Sequence, residues 1–495
     1  VEGCHSIGKA DVQGRHDSGA RTHLHDDTGA HVSDTNPAET TYDVVVLGGG
    51  SGGYACALRA AQLGLTVALV ERDKLGGTCL HYGCIPTKAL LHAAEVADNA
   101  REGAEFGVRS TFDGIDMEGV NSYKEGVVSR LYKGLQGLVK SRGITYVEGH
   151  GTLVAPNAVE VDGQRWTGKA VVLASGSYAR TLPGLEIDGT KVISSYEALR
   201  LDRVPSSVVV LGGGVIGVEF ASVWRSFGSA VTIVEALPRL VPAEDEACSK
   251  AVERAFRRRK INFKTGVRFA GVEHTDDGVR VSLENGDTID AELLLVAVGR
   301  GPTTDGLGYD QVGVAMERGF VLTDERLRTN VPGVYALGDI VPGLQLAHRG
   351  FQQGIFLAEE LAGFNPVAID EAQIPRVTYS DPEVASVGIT EAEAKERLGA
   401  DKVESLQYDL AGNGKSQILK TAGFIKLVRE KNGPVLGVHM VGARVGELIG
   451  EAQLITSWEA LPDEVATLVH AHPTQNEAMG EAHLALAGKA LHAHG

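Results

Sequence analysis

One pattern restricts this chain more than any other, and it occurs twice. Residues 42–71, YDVVVLGGGSGGYACALRAAQLGLTVALVE, run from an apolar stretch through glycines into a helix-like segment, then into a second β-rich stretch ending in an acid. Residues 206–235, SSVVVLGGGVIGVEFASVWRSFGSAVTIVE, do the same. Each copy reads as strand, tight turn, helix, strand, with Gly48, Gly50 and Gly53 or Gly212, Gly214 and Gly217 at the G-x-G-x-x-G positions. The first glycine permits the turn, the second lets backbone approach a pyrophosphate, and the third lets helix and strand pack closely while the helix N-terminus faces the anion. Glu71 and Glu235 close the second strands, where a carboxylate hydrogen-bonds an adenosine ribose. Two such units predict an α/β fold with two Rossmann-like dinucleotide-binding domains, one cofactor passing electrons to another. Glu235 would repel a ribose 2′-phosphate by about 1–4 kcal/mol, roughly fivefold or more in affinity, so NAD is expected over NADP. Arg239, four residues on, works against that preference.

Between the two copies lies GGTCLHYGCIPTKAL, residues 76–90, which holds Cys79 and Cys84 out of only five cysteines in 495 residues. The following residues have helical periodicity and Pro86 suits a first turn, so the pair is expected on the loop leading into a helix. The positive end of a helix dipole there favours thiolate. A structural disulfide, half of a zinc site and two buried thiols are the competing readings. Zinc would need two more ligands, and Cys4, Cys56 and Cys248 stand alone, so no metal site is expected. Cys56 and Cys248 fall in helical stretches and read as packing residues. Beside a dinucleotide fold, a redox-active pair is favoured.

Composition narrows the partners. Lys and Arg total 47 against 64 Asp and Glu, a formal charge of −17, which argues against nucleic acid or an anionic membrane. With no apolar run long enough to span a bilayer and nothing like a signal peptide before the first strand, a cytoplasmic protein is expected. Residues 1–40 are polar, carry five histidines without a ligand-like spacing, and read as a disordered extension.

GGTCLHYGCIPTK resembles the redox signature of the pyridine nucleotide-disulfide oxidoreductases, in which a disulfide, FAD and a nicotinamide nucleotide form one electron path. AVVLASGSYARTLPG (170–184) resembles the family's link between its FAD and NAD domains, LLLVAVGRGPT (293–303) its returning strand, and VYALGDIVPGLQLAH (334–348) its second FAD motif. In the last, Asp339 matches the residue that holds the flavin ribitol. The resemblance also implies cofactor contacts at Gly151, Ser175, Gly176, Ser177, Gly299 and Ala347, and an ion pair of Lys88 with Glu219 near the flavin. HAHPTQNEAMGEAHLALAGKALH (470–492) is similar to the closing signature of the branch that oxidises dihydrolipoamide, with His472 as base and Glu477 as its orienting carboxylate. A histidine suits thiol chemistry near neutral pH, and a carboxylate raises its basicity and fixes its tautomer. His470 is a weaker candidate for that role.

The implied activity is oxidation of protein-bound dihydrolipoamide to lipoamide with reduction of NAD⁺. A homodimer is implied too, with each active site taking its histidine from the other subunit, and lipoyl domains of 2-oxoacid dehydrogenase complexes as partners. Mercuric reductases and large thioredoxin reductases need a C-terminal cysteine pair, and the last cysteine here is Cys248. Glutathione reductases carry arginines near the position of Glu235. A mycothiol-type reductase, or a flavin transhydrogenase or diaphorase, is the alternative reading. His81, Tyr82, Ser175 and Asn476 depart from the family pattern without removing a reacting group. The expected organisation is an extension (1–40), an FAD domain (41–188) resumed after an inserted NAD domain (189–307) as a return segment (308–368), and an α+β dimerisation domain (369–495).

Overall fold

The computed structural model describes residues 41–492. The extension expected over residues 1–40 lies outside the described residues.

Three sheets organise the chain. The first has seven strands, with Thr41–Leu47 at its centre, parallel to Val67–Glu71 on one side and to Gln164–Leu173 on the other. Strand Val334–Ala336, far along the chain, adds parallel to Gln164–Leu173 with Val334 opposite Val171, so the return segment completes the sheet begun by the first glycine motif. The second sheet has five parallel strands, centred on Ser207–Leu211 between Ala230–Glu235 and Leu293–Val296. Both central strands are continuous apolar runs rather than alternating ones, because both faces of each parallel sheet are covered: helices pack on one face, and on the other lie Leu153, Val159 and Tyr309 in the first sheet and strand Gly278–Leu283 in the second. Val209 and Val210 are fully buried, as are Val45 and Val46 in the first sheet.

The chain leaves the first sheet through Ser177–Ala179 and returns through Arg300–Pro302, and these short strands pair antiparallel with Gly301 opposite Tyr178. This two-stranded ribbon joins the two nucleotide units. A third, five-stranded antiparallel sheet, Arg376–Thr378 through Val435–Gly442, packs against helices Val445–Ser457 and Glu477–Leu486 to form the C-terminal α+β part. No helix among the described residues is long and apolar enough to cross a membrane.

The cysteine segment is more ordered than a loop. Cys79 sits in a short helix, Gly77–His81, and Cys84 is the first residue of helix Cys84–Glu102. Gly76, at φ 103°, and Gly83 supply the turns on either side, the first in a conformation that disfavours a side chain.

Candidate active site

The two glycine loops are built alike, contact by contact. Gly48 and Gly212 both have φ 112°, and a Cβ on either would strike a carbonyl just past the end of a neighbouring strand, that of Ala174 or Ala297. A Cβ at Gly53 would lie 1.8 Å from the Gly48 carbonyl oxygen, and one at Gly217 would lie 1.9 Å from that of Gly212. Gly50 and Gly214 are the opposite case, since a Cβ there would meet nothing within 4 Å; both face one large cavity. The strand-end acids have an additional structural duty. Glu71 accepts from the N–H groups of Gly49 (2.7 Å) and Asp73 (2.9 Å), and Glu235 from those of Gly213 (2.6 Å) and Leu237 (2.7 Å). Each carboxylate thus fixes its own glycine loop; Glu235 also lines the cavity, where a ribose is expected, whereas Glu71 is not among the lining residues. Arg239 does not oppose Glu235, because its guanidinium donates to the Pro242 carbonyl (2.8 Å) and the Ser249 hydroxyl (3.2 Å).

The cavity measures about 1800 Å³, beyond the ~300–1,000 Å³ of a single small-molecule site, and runs from Gly50 past Cys79, Cys84 and Lys88 to Gly214 and Glu235. It therefore connects both glycine loops through the cysteine pair. Gly176, Ser177, Gly299, Asp339 and Ala347 line it as well. Asp339 accepts a short hydrogen bond from the Ser177 hydroxyl, and Ser177 is itself held by Arg300, whose Nε donates to that hydroxyl at 2.7 Å and whose terminal nitrogen donates to its carbonyl at 2.6 Å. Arg300 was not among the residues expected from sequence. Ala347 opens helix Ala347–Leu361, and Ser51 opens helix Ser51–Gln62, so two helix N-termini meet this end of the cavity. Open glycine cradles, two helix N-termini and Asp339 are the donors and acceptor that a flavin dinucleotide requires, and the second loop offers the same cradle to a nicotinamide dinucleotide.

Besides Glu71, two further expected contacts, Gly151 and Ser175, do not line the cavity. Gly151 is buried among Leu47, Val70 and Val159, all within 3.0 Å of a hypothetical Cβ, and close packing accounts for its lack of side chain. Ser175 donates to the Thr303 carbonyl (2.6 Å) and shares a hydrogen bond with the buried Tyr309 hydroxyl (2.9 Å), so it braces the crossover ribbon.

At the cysteines the two thiols are unbridged, and each sets the other's ionisation. Donation from Cys79 lowers the Cys84 thiol to about 7; burial opposes this, and the Lys88 charge reinforces it. Cys79 moves the other way, raised because it shares its proton with Cys84 and is itself buried. The pair thus ionises first at Cys84. Lys88, one turn along the same helix, donates to both Glu219 oxygens at 2.9 and 2.7 Å. Burial works against its charge, but Glu219, with 3% of its side chain exposed, more than compensates and raises its pKa.

The second expected pair sits apart. His472 Nδ1 lies 2.8 Å from Glu477 Oε1, and the Thr474 N–H donates to the other oxygen at 2.8 Å. Burial raises the Glu477 carboxyl, but these two partners outweigh it and hold it below the usual range. The dyad is formed, yet 78% of the His472 side chain is exposed, and neither residue lines the cavity that holds the cysteines. His470 is buried against Glu451, with Nε2 2.8 Å from the carboxylate, and Glu451 also accepts from Asn476. Glu451 thus ties His470 to Asn476, the residue before Glu477, and His470 braces the segment that carries the dyad.

Comparison with known proteins gives two family matches: "Pyridine nucleotide-disulphide oxidoreductase" over residues 42–354 and the dimerisation domain of the same family over residues 374–483. The chain is 41% identical over 473 residues to a dihydrolipoyl dehydrogenase of Bacillus subtilis, covering 92% of this chain and 99% of that one. It is 40% identical over 464 residues to a mitochondrial dihydrolipoyl dehydrogenase of Pisum sativum, covering 91% and 92%. Among solved structures, LpdA of Mycobacterium tuberculosis superposes with a TM-score of 0.83 at 25% identity, over 90% of this chain and 99% of that one.

Proposed function

The chain belongs to the pyridine nucleotide-disulfide oxidoreductases, a flavin-dependent family using FAD and NAD(H), and from that premise we propose that it oxidises dihydrolipoamide to lipoamide with reduction of NAD⁺. One observation carries the reading: a single cavity joins both glycine loops by way of Cys79, Cys84 and Lys88.

The dithiol of the substrate is the reductant and the Cys79–Cys84 disulfide the oxidant. A substrate thiolate attacks Cys79, forming a mixed disulfide and releasing Cys84 as a thiolate. The second substrate thiolate then displaces Cys79, closing the lipoamide disulfide and leaving both cysteines reduced. Cys84 is the better leaving group because its thiol pKa is lowered to about 7. Lys88 stabilises the negative charge that appears there. His472, its tautomer set by Glu477, takes the proton of the attacking thiol. Bound FAD supplies the two-electron carrier between the thiols and NAD⁺. Ser177, Asp339 and the Gly50 loop would hold it, and the Gly214 loop with Glu235 would hold the nicotinamide nucleotide.

The exposure of His472 supports a site shared between two copies, in which the partner subunit's His472 serves Cys79; the dimerisation-domain match supports the same reading. The segments 41–188 and 308–368 then form the flavin unit, 189–307 the nicotinamide unit, and 369–495 the dimer contact. The lipoyl domain of a 2-oxoacid dehydrogenase complex is the protein-bound form of such a substrate, and a cytoplasmic setting suits that partner. Purified yellow protein given dihydrolipoamide and NAD⁺ is expected to form NADH, with NADP⁺ poorer by roughly fivefold or more. Turnover of another disulfide with NADPH, and none of dihydrolipoamide, would overturn the assignment.

A further inference from the structure

Lys88 comes from helix Cys84–Glu102 and Glu219 from helix Val215–Phe227, and a third piece of chain reaches both. Just past strand Arg376–Thr378, the Tyr379 N–H donates to Glu219 Oε1 at 2.9 Å, and Lys88 Nζ stands 4.8 Å from the centroid of the Tyr379 ring. Two residues on, the Asp381 N–H donates to the Ser222 hydroxyl at 3.2 Å, and the Asp381 carboxylate meets Arg259 at 3.3 Å. Arg259 also pairs with Asp98 of the cysteine helix at 3.1 Å. Glu219 and Ser222 are three residues apart on one helix face, so residues 379–381 lie along that face and are tied at both ends.

We propose that Tyr379 is a positioning residue of the redox centre, whose N–H and ring hold the Lys88–Glu219 pair so that the lysine charge stays beside Cys84. The physical basis is twofold. An N–H to a buried carboxylate is a charge-assisted hydrogen bond that fixes Glu219. The negative face of the ring attracts the ammonium and restricts a long, flexible side chain to one side of Glu219. The charges around these groups come from several elements: Cys84 is faced by Cys79, Lys88, Glu219 and Arg300, and Tyr379 by Lys88, Glu219, Glu383 and Glu447. Donation from Cys79 favours the Cys84 thiolate most; of the charged groups only Lys88 and Arg300 favour it, and the Arg300 guanidinium is held against Ser177.

The inference rests on the proposed redox role of the cysteines, so its test reads thiol ionisation rather than turnover. The holoenzyme is reduced with a small dithiol and alkylated with iodoacetamide across a pH series, the site being mapped by mass spectrometry. In the parent, the rate rises through pH about 7 as the pair ionises at Cys84. Tyr379→Leu is expected to move that midpoint up by about half a unit, because a less well-held ammonium stabilises the thiolate less. Tyr379→Phe keeps the ring and the N–H and should restore the parent midpoint. In a Lys88→Gln background the leucine substitution should add nothing. Should Tyr379→Leu fail to fold, Tyr379→Met takes its place. A parent-like midpoint without the ring, or the same shift with and without Lys88, overturns the proposal. A parent with no ionisation near neutrality would overturn the redox reading beneath it.

Discussion

The cysteine centre and the His472 dyad are both pairs poised for proton and electron chemistry, yet the chain treats them in opposite ways. Around the cysteines, the chain's own helices and strands supply everything in contact: Lys88, Glu219 and Tyr379 converge from segments 131 and 160 residues apart. Around His472 the chain supplies Glu477 and Thr474 and leaves the imidazole face open. A group that must stabilise a thiolate gains from burial beside a fixed charge, where Coulomb interactions are strong. A base that must meet an incoming thiol has to be ordered but uncovered. The difference fits the proposal that the single chain completes the thiol half of the chemistry and that the histidine half meets a second copy.

The largest effects should separate the two halves by what survives. Cys79→Ser and His472→Gln should each reduce dihydrolipoamide oxidation by about 10²-fold or more. Cys79→Ser also removes the thiol that lowers Cys84, and so should move the alkylation profile of the reduced protein to higher pH, while His472→Gln should leave that profile unchanged. If His472→Gln alters that profile, the two regions are not as independent as the geometry indicates.

Stability gives the next contrast. Lys88→Met leaves Glu219 buried without its cation, a change that costs about 3–5 kcal/mol for a buried pair. Glu477→Gln breaks an exposed pair and should cost under about 1 kcal/mol while still slowing turnover about tenfold. Urea unfolding and steady-state rates on the two variants check both statements, and equal destabilisation would erase the distinction.

The last effect concerns pH. The fold lowers the Cys84 thiol from its model-compound value near 9.0 to about 7, so the thiolate contributes stability to the reduced protein above the unfolded value. That contribution is lost as pH falls through about 7. Melting of the reduced protein between pH 6 and 9 should therefore show it, and a Cys84→Ser variant should not.

The local parts of this molecule could be read from its sequence, because glycine spacing, strand runs and an acid at the strand end are properties of contiguous residues. The loops at Gly48 and Gly212 match that reading down to their common φ of 112°. The long-range parts could not. Nothing near Tyr379 announces that its N–H ends on Glu219, and nothing near Arg300 announces that it will clasp Ser177 across the crossover ribbon. Gly151 looked like a cofactor contact from the resemblance, but the structure places it against Leu47, Val70 and Val159, neighbours made by folding alone. Glu71 and Glu235 were assigned to riboses, and their bonds to Gly49 and Gly213 became visible only when both ends of each strand–turn–helix unit were in place. The cysteines were expected on a loop, yet glycines on either side admit a short helix there.

Complementation tests the divided site most directly. Cys79→Ser chains and His472→Gln chains, each inactive alone, are mixed in equal amounts, allowed to exchange subunits, and assayed for NADH formation from dihydrolipoamide. Random pairing makes half of the dimers hybrids with one intact site each, so about a quarter of parental activity is expected to return. A mixture that exchanges subunits, shown by mass spectrometry, and stays inactive would contradict the claim that each histidine serves the other chain's cysteines.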